Sequence, residues 1–255
     1  MRRIPGFAVT ALSVALVLGA WVTVTTQGLI RDLFLPSPRD LWMGFEELME
    51  EGYKGRTMAE HLGMSLLRVG AGFLTGALAG TVLGLAMGTS RRLDAAAAPF
   101  VEFLRPLPQL AYLVLLIVWL GIGESSKITM LFLAALPVAA VAARDGVRNI
   151  PAERIRMAQS LGASRGQIFR HVVAPSALPE ILTGARLALG IVYGTLIAAE
   201  IIAGSNGIGW MILDAGRFLR SDYAFVGILV IGLTGILIDR LLLLLERRVV
   251  HWAGR

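Results

Sequence analysis

The chain has 255 residues, of which 56% are hydrophobic and 16% charged, with a mean hydropathy of +0.70. A soluble domain carries about 25% charge, and several stretches here approach the roughly 20 apolar residues that cross a bilayer, so the chain is read as one integral membrane domain over 1–255. The net charge of +6 is assigned to membrane topology rather than to a nucleic-acid surface, and the absence of cysteine excludes disulfides, thiolate metal sites and thiol chemistry.

Apolar runs predict an all-α membrane protein with six spans, near 7–27, 65–89, 106–122, 126–143, 177–203 and 223–245. The first stretch, MRRIPGFAVTALSVALVLGAWVTVTTQ, begins like a signal peptide. Its apolar run is too long for a typical one and no small-x-small site clearly follows, so it is expected to remain as the first span. Lys and Arg then set the orientation. With the N-terminus inside, 14 basic residues fall in cytoplasmic segments and 7 in outer ones, with Arg68, Arg105 and Arg186 left in or beside spans. Both termini are therefore expected in the cytoplasm.

Residues 28–60 form an outer connector. Within it Ser37 suits a helix cap, Pro38 the first helical position, and Asp40 completes a capping box. Leu41, Trp42, Phe45, Leu48 and Met49 follow on one face, with Glu46, Glu47, Glu50 and Glu51 mostly opposite. That predicts an amphipathic surface helix, either an ordinary connector packed on the bundle or a binding surface.

The second span carries Gly72, Gly76, Gly80, Gly84 and Gly88, one every fourth residue. Glycine is costly in a helix unless backbones must approach closely, and small-xxx-small spacing does this between membrane helices. The stripe predicts a tight helix contact, within one chain or between two. Next, Pro106 and Pro108 interrupt the third apolar run. Residues 93–104 are therefore read as a short helix along the cytoplasmic surface, with Glu102 and Arg105 spaced to pair.

Chemistry is sparse. No GxxxxGK[ST] phosphate loop occurs, and GESSKIT at Gly123 lacks the second glycine, so ATP is not expected to bind here by that motif. His61, His171 and His251 are placed in loops or at ends and expected in solvent. No acidic or histidine cluster has metal spacing. No nucleophile, base and orienting acid share a span, which argues against a membrane enzyme. In the fifth span, Arg186, Tyr193 and Glu200 are spaced seven apart and fall nearly on one line. An arginine at membrane depth is a functional candidate by default. It either lines a pathway or pairs with a neighbouring helix.

Between the fourth and fifth spans, residues 144–176 form a basic insert. Pro151 opens a helix, Gly162 suits a left-handed turn, and Ser164 caps a second helix expected to stop before Pro175. Ile155, Ala158, Leu161, Ile168, Phe169 and Val172 give the insert an apolar side that a free loop does not need.

The insert RMAQSLGASRGQIFRHVVAPSALP resembles the EAA loop of ABC-importer permeases, written EAA-x3-G-x9-I-x-L-P. Arg156, Met157 and Ala158 stand at E-A-A, Gly162 at the glycine, and Val172, Ala174 and Pro175 at I, L and P. The first, second and leucine positions depart, while the glycine-to-proline spacing is kept. FLPSP, RPLPQLAYLVLLIVWLGIGESSKI, LPEILTGARLALG and AAEIIAGSNGIG are similar to the taurine, aliphatic-sulfonate, nitrate and bicarbonate permeases, with AQSLGASRGQ nearest the taurine members.

The resemblance implies a six-helix type I importer fold in a bacterial inner membrane and transport of a small anionic solute, taurine or an aliphatic sulfonate first, with a nitrate, bicarbonate or pyrimidine-precursor permease as the rival of the same class. It implies two copies of the chain, two ATPase subunits docked inside, and a periplasmic or lipid-anchored binding protein docked outside. ATP and Mg then belong to the partner ATPase, and no cofactor to this chain. An ion-coupled secondary transporter is the rival of another class. It would need its own coupling-ion site and often broken helices in repeated halves, and neither is visible.

Overall fold

A computed structural model describes residues 6–250 and Trp252; His251 lies outside the described residues. Among these residues there are eleven α-helices and no strand. They are α1 (Gly6–Thr26), α2 (Pro38–Glu50), α3 (Met58–Thr89), α4 (Arg91–Leu104), α5 (Gln109–Leu120), α6 (Glu124–Arg148), α7 (Ala152–Ser160), α8 (Arg165–Ile168), α9 (Ala174–Ala203), α10 (Ile208–Arg217) and α11 (Ser221–Val249). One end of the bundle carries α2 and α10, the other α7 and α8.

Five stretches are long and apolar enough to cross a membrane: α1, α3, α6, α8 through α9, and α11. The sixth span is abbreviated. Helix α5 has 12 residues, about 18 Å, short of the roughly 30 Å apolar core. It meets α4 at 101°, and the two together are long and apolar enough to make one broken span. Pro106 and Pro108 account for the bend, since neither can donate to a continuing helix. Helix α4 is capped by Ser90 and tied to α6 by Arg148–Asp94 at 2.6 Å and Arg144–Glu102 at 3.2 Å. Glu102 therefore pairs across helices rather than with Arg105, because α6 brings a guanidinium to it.

The glycine stripe of α3 is an intramolecular seam. A Cβ on Gly72 would overlap Leu131, one on Gly80 the Leu136 carbonyl, and one on Gly84 the Ala140 carbonyl. A Cβ on Gly76 would lie 2.5 Å from the Phe132 carbonyl oxygen, and one on Gly88 2.6 Å from Val147 Cβ. All five partners are on α6. Each glycine gives up about 1 kcal/mol of helix propensity relative to alanine, which backbone-to-backbone packing offsets. The other side of α6 meets α9 in the same way: Gly146 faces Ala177 and Gly184 faces Ala142. Thus α3, α6 and α9 form a close-packed slab. Helix α11 is mostly uncovered, and α1 has no buried residue but Thr25.

Helix α2 begins as its sequence dictates. Ser37 Oγ accepts from the Asp40 backbone N–H, and Asp40 accepts from the Ser37 N–H at 3.0 Å. Leu41 and Leu48 are buried and Phe45 packs on the core, but Trp42 and Met49 are exposed, so the covered face is narrower than expected. Trp42 instead donates its indole N–H to Glu46 at 2.7 Å.

Candidate functional sites: a presented turn, a polar groove and a buried arginine hub

Helix α7 ends at Gly162, whose φ is +78°. The Ala163 N–H donates to the Ala158 carbonyl at 3.1 Å and the Gly162 N–H to that of Gln159 at 2.9 Å. This is a Schellman ending, which needs a left-handed residue and so favours glycine. Ser164 restarts the chain as a cap, with Gln167 returning a bond to the Ser164 N–H at 2.8 Å. Helix α8 does not stop before Pro175 as expected. A π turn over Phe169–Val173 carries it into α9, the Ala174 N–H reaching back to the Phe169 carbonyl. Pro175 lacks an N–H and its ring crowds the i−4 carbonyl; the wider turn accommodates both in a continuous helix.

One side of this hairpin is anchored. Ile155, Ala158 and Val172 pack with buried Ile168 on Val147, Ile150, Val173 and Ala177. Leu161 and Phe169 do not join them: Leu161 is 83% exposed, and Phe169 is also exposed. With Met157 at 65% exposure they form an apolar display beside a groove of about 360 Å3 that includes Gly162 and His171. Arg156 pairs locally with Glu153 at 2.7 Å, while Ala174 and Pro175 are half-buried in the root of α9.

A second feature lies between α9 and α11. Arg186 donates from Nε and Nη2 to Asp239 at 3.0 and 3.2 Å, and from Nη1 to Glu246 at 3.4 Å. Arg186 and Asp239 line a groove of about 320 Å3 with Tyr193 and the glycines 190, 194, 232 and 235. The Tyr193 ring lies against Gly235. Its hydroxyl is enclosed beside the Thr234 hydroxyl, which donates to the Val230 and Ile231 carbonyls.

Glu200 does not share this groove. It is fully buried nearer the α2 end, in a hub that the sequence reading missed. Arg68, 1% exposed, donates from Nη1 to Glu200 at 2.5 Å and to the Asn206 carbonyl at 3.0 Å. It also donates from Nε and Nη2 to Glu124 at 2.6 and 2.7 Å, and from Nη2 to Asn206 Oδ1. Lys127, expected in an outer loop, is buried and pairs with Glu124 at 2.9 Å. Ser65 Oγ donates to Glu200 at 2.8 Å and accepts the Ile208 N–H at 2.9 Å, while the Gly209 N–H donates to Glu200 at 2.8 Å. His61 is also fully buried rather than solvated. Its Nδ1 accepts the Gly207 N–H at 3.1 Å, which leaves the proton on Nε2, donated to the Tyr53 carbonyl at 3.2 Å. The loop GSNGIG is thereby fastened to α3 and α9. The available signal was an arginine and a glutamate of opposite sign, each inside an apolar span.

The described residues contain no group of three or more His, Asp or Glu placed to hold a metal ion. The arrangement is a membrane bundle with a clamped loop at one end and an apolar, basic-flanked turn presented at the other.

Known proteins resemble this chain in sequence and in fold. The sequence pattern of the binding-protein-dependent transport system inner membrane components matches residues 74–251. The chain is 42% identical over 246 residues to the taurine transport system permease protein TauC of Escherichia coli (strain K12), covering 95% of this chain and 88% of that protein. It is 34% identical over 251 residues to the putative aliphatic sulfonates transport permease protein SsuC of Bacillus subtilis (strain 168), covering 98% and 90%. It is 32% identical over 186 residues to the nitrate import permease protein NrtB of Synechocystis, covering 73% and 68%. Among solved structures, an inward-facing MetNI methionine ABC transporter superposes with a TM-score of 0.65 at 20% identity, over 78% of this chain and 96% of that one, which shows the type I importer permease fold. The chain belongs to the binding-protein-dependent transport system inner membrane components, as a multi-pass ABC transporter permease.

Proposed function

We propose that this chain is the permease of an importer for a small sulfonate, with taurine the first solute, working by alternating access. The observation that carries the reading is the 42% identity over 95% of the chain to a taurine permease. The SsuC likeness supports the wider sulfonate class. The nitrate relative favours a second reading, by lower identity over a shorter stretch.

In this reading the Gly162 turn is the socket for a separate ATPase, which holds the ATP and Mg. Exposed Met157, Leu161 and Phe169 supply an apolar contact, and Arg154, Arg165 and Arg170 surround it with positive charge. The turn and both ends of the chain face the cytoplasm, in line with the bias of basic residues. The α2 end faces outward, where the binding protein docks. Two copies of the chain enclose one route, with Arg186 and Tyr193 on it. Motor closure moves α7 and α8; the continuous α8–α9 helix and the glycine seam transmit the movement to the clamped outer loop.

The test is uptake of labelled taurine, nitrate and bicarbonate by cells with and without this gene, with the ATPase co-purified from the same membranes. Gene-dependent taurine uptake and a bound ATPase are expected. Nitrate or bicarbonate uptake without taurine uptake would replace the solute assignment.

A further inference from the structure

We infer that the groove between α9 and α11 is a subsite for a zwitterionic aminosulfonate, with Arg186 taking the sulfonate and Asp239 the ammonium. The inference rests on the proposed sulfonate transport and names the chemistry by which the permease itself discriminates between sulfonates.

The first observation is space. The groove holds about 320 Å3 and its floor is glycine. A Cβ on Gly190, Gly194 or Gly232 would meet nothing within 4 Å. These glycines do not serve a close helix contact inside this chain, unlike those of α3. What they leave is an open apolar channel beside two opposite charges.

The second observation is the donor count. A guanidinium carries five N–H groups. Asp239 and Glu246 engage three of them, leaving one N–H on each Nη nitrogen. Each of the two terminal nitrogens therefore keeps a donor for an oxyanion oxygen, and a charge-assisted bond of this kind is stronger than a neutral one. Arg186 and Asp239 are also partly accessible, at 29% and 43% of their side-chain surface, so a solute reaches them without unfolding anything.

The third observation is charge. Arg186 is already matched by Asp239 and by Glu246 on its far side. Arg240, next along α11, is exposed and does not line the groove. A simple alkanesulfonate would bring a negative charge next to Asp239 with no cation left to neutralise it. A zwitterion avoids this. Its sulfonate takes the remaining Nη donors of Arg186, and its ammonium takes a carboxylate oxygen of Asp239. Its short carbon link lies on glycine and isoleucine. Specificity then comes from the repulsion of the wrong solute as much as from attraction of the right one.

The test uses the assembled permease–ATPase complex without its binding protein, so that selectivity belongs to this chain. Binding of labelled taurine is measured, with ethanesulfonate and ethylamine as competitors that each carry one half of the charge pattern. Saturable binding is expected, with taurine competing at least tenfold better than either half. Asp239→Asn is expected to weaken taurine at least tenfold while leaving ethanesulfonate unchanged or improved, and Asp239→Glu to restore the preference. Gly190→Leu fills the groove without touching the ion pair and is expected to abolish binding in an assembled complex. Taurine uptake by the full importer with no saturable binding to this complex would overturn the inference and leave the transport reading intact. Equal losses for taurine and ethanesulfonate in Asp239→Asn would do the same. A full importer that takes up no taurine overturns both.

Discussion

Arg68 and Arg186 are both guanidiniums on apolar membrane helices, and each is held by two carboxylates. Their surroundings differ. Arg68 is 1% exposed, and its partner Glu200 is not exposed at all. Their remaining hydrogen bonds go to Ser65, Asn206 and the Gly209 backbone N–H of the α9–α10 connection. Arg186 is 29% exposed, faces a glycine-lined groove and keeps unused donors. A charge deep in a span is a functional candidate only until its partners are counted. Arg68 is saturated and fixes a loop; Arg186 is unsaturated and accessible.

The sharpest way to break that contrast is to remove the buried cation. Truncating one partner of a buried, hydrogen-bonded pair strands the other and costs about 3–5 kcal/mol. Arg68→Ala is expected to lose that much, because Glu200 and Glu124 are both left near the same vacated site. Thermal unfolding of the detergent-solubilised protein should show a collapse in Tm or yield. A near-normal Tm would mean that the hub is solvated and the contrast false. Gly84→Leu comes next, since its side chain meets the Ala140 carbonyl on α6. Overpacking of this kind costs about 1–3 kcal/mol, whereas Gly194→Leu, facing open space, should leave Tm almost unchanged.

Much of this architecture was legible in the sequence. The spans, the α2 capping box and the Gly162 turn are encoded locally, by run length, by Ser37 with Asp40, and by a glycine after a helical run. Partner choice is not local. The polar contrast that marks a buried face in water is missing when lipid is as apolar as the core. The seven-residue line from Arg186 to Glu200 therefore read as one face. The structure splits it, because the α9–α10 loop folds back over Glu200 alone. His61 likewise read as solvated, since nothing local signals that Gly207, 146 residues away, donates to it.

Gly162→Val is expected to cost roughly 1 kcal/mol or more locally, since a branched residue resists positive φ. The spans should still insert, while bound ATPase falls or its hydrolysis uncouples from uptake. Normal uptake with a normal amount of bound ATPase would remove the turn from the coupling role. Arg186→Ala should cost less stability than Arg68→Ala, because the ion pair it breaks is partly exposed rather than buried. Its effect should appear in uptake instead, with the complex assembled. If assembly failed while the surviving complexes transported normally, Arg186 would be structural, like Arg68.

The smallest effect concerns the α2 end. Glu47 accepts from Arg220 Nη2 at 2.7 Å, and that hydrogen bond holds its carboxyl below the usual carboxylate range. Arg220 also lies over the Tyr223 ring, 3.6 Å from its centroid, and pairs with Asp222 at 2.9 Å, so Glu47 joins a guanidinium already fixed in place. A carboxyl with a depressed folded pKa binds fewer protons folded than unfolded. Its stabilisation is therefore present above the unfolded pKa, about 4.3 for glutamate, and is lost as pH falls through the lower folded value. Wild type should out-melt Glu47→Gln by a small margin at neutral pH, and the margin should close in acid. Glu47 is 41% exposed, so added salt should shrink the margin as well. A salt-independent margin that persisted in acid would mean that Glu47 acts through packing, and that α2 is held by Leu41 and Leu48 together with a buried contact of Glu47 rather than by charge.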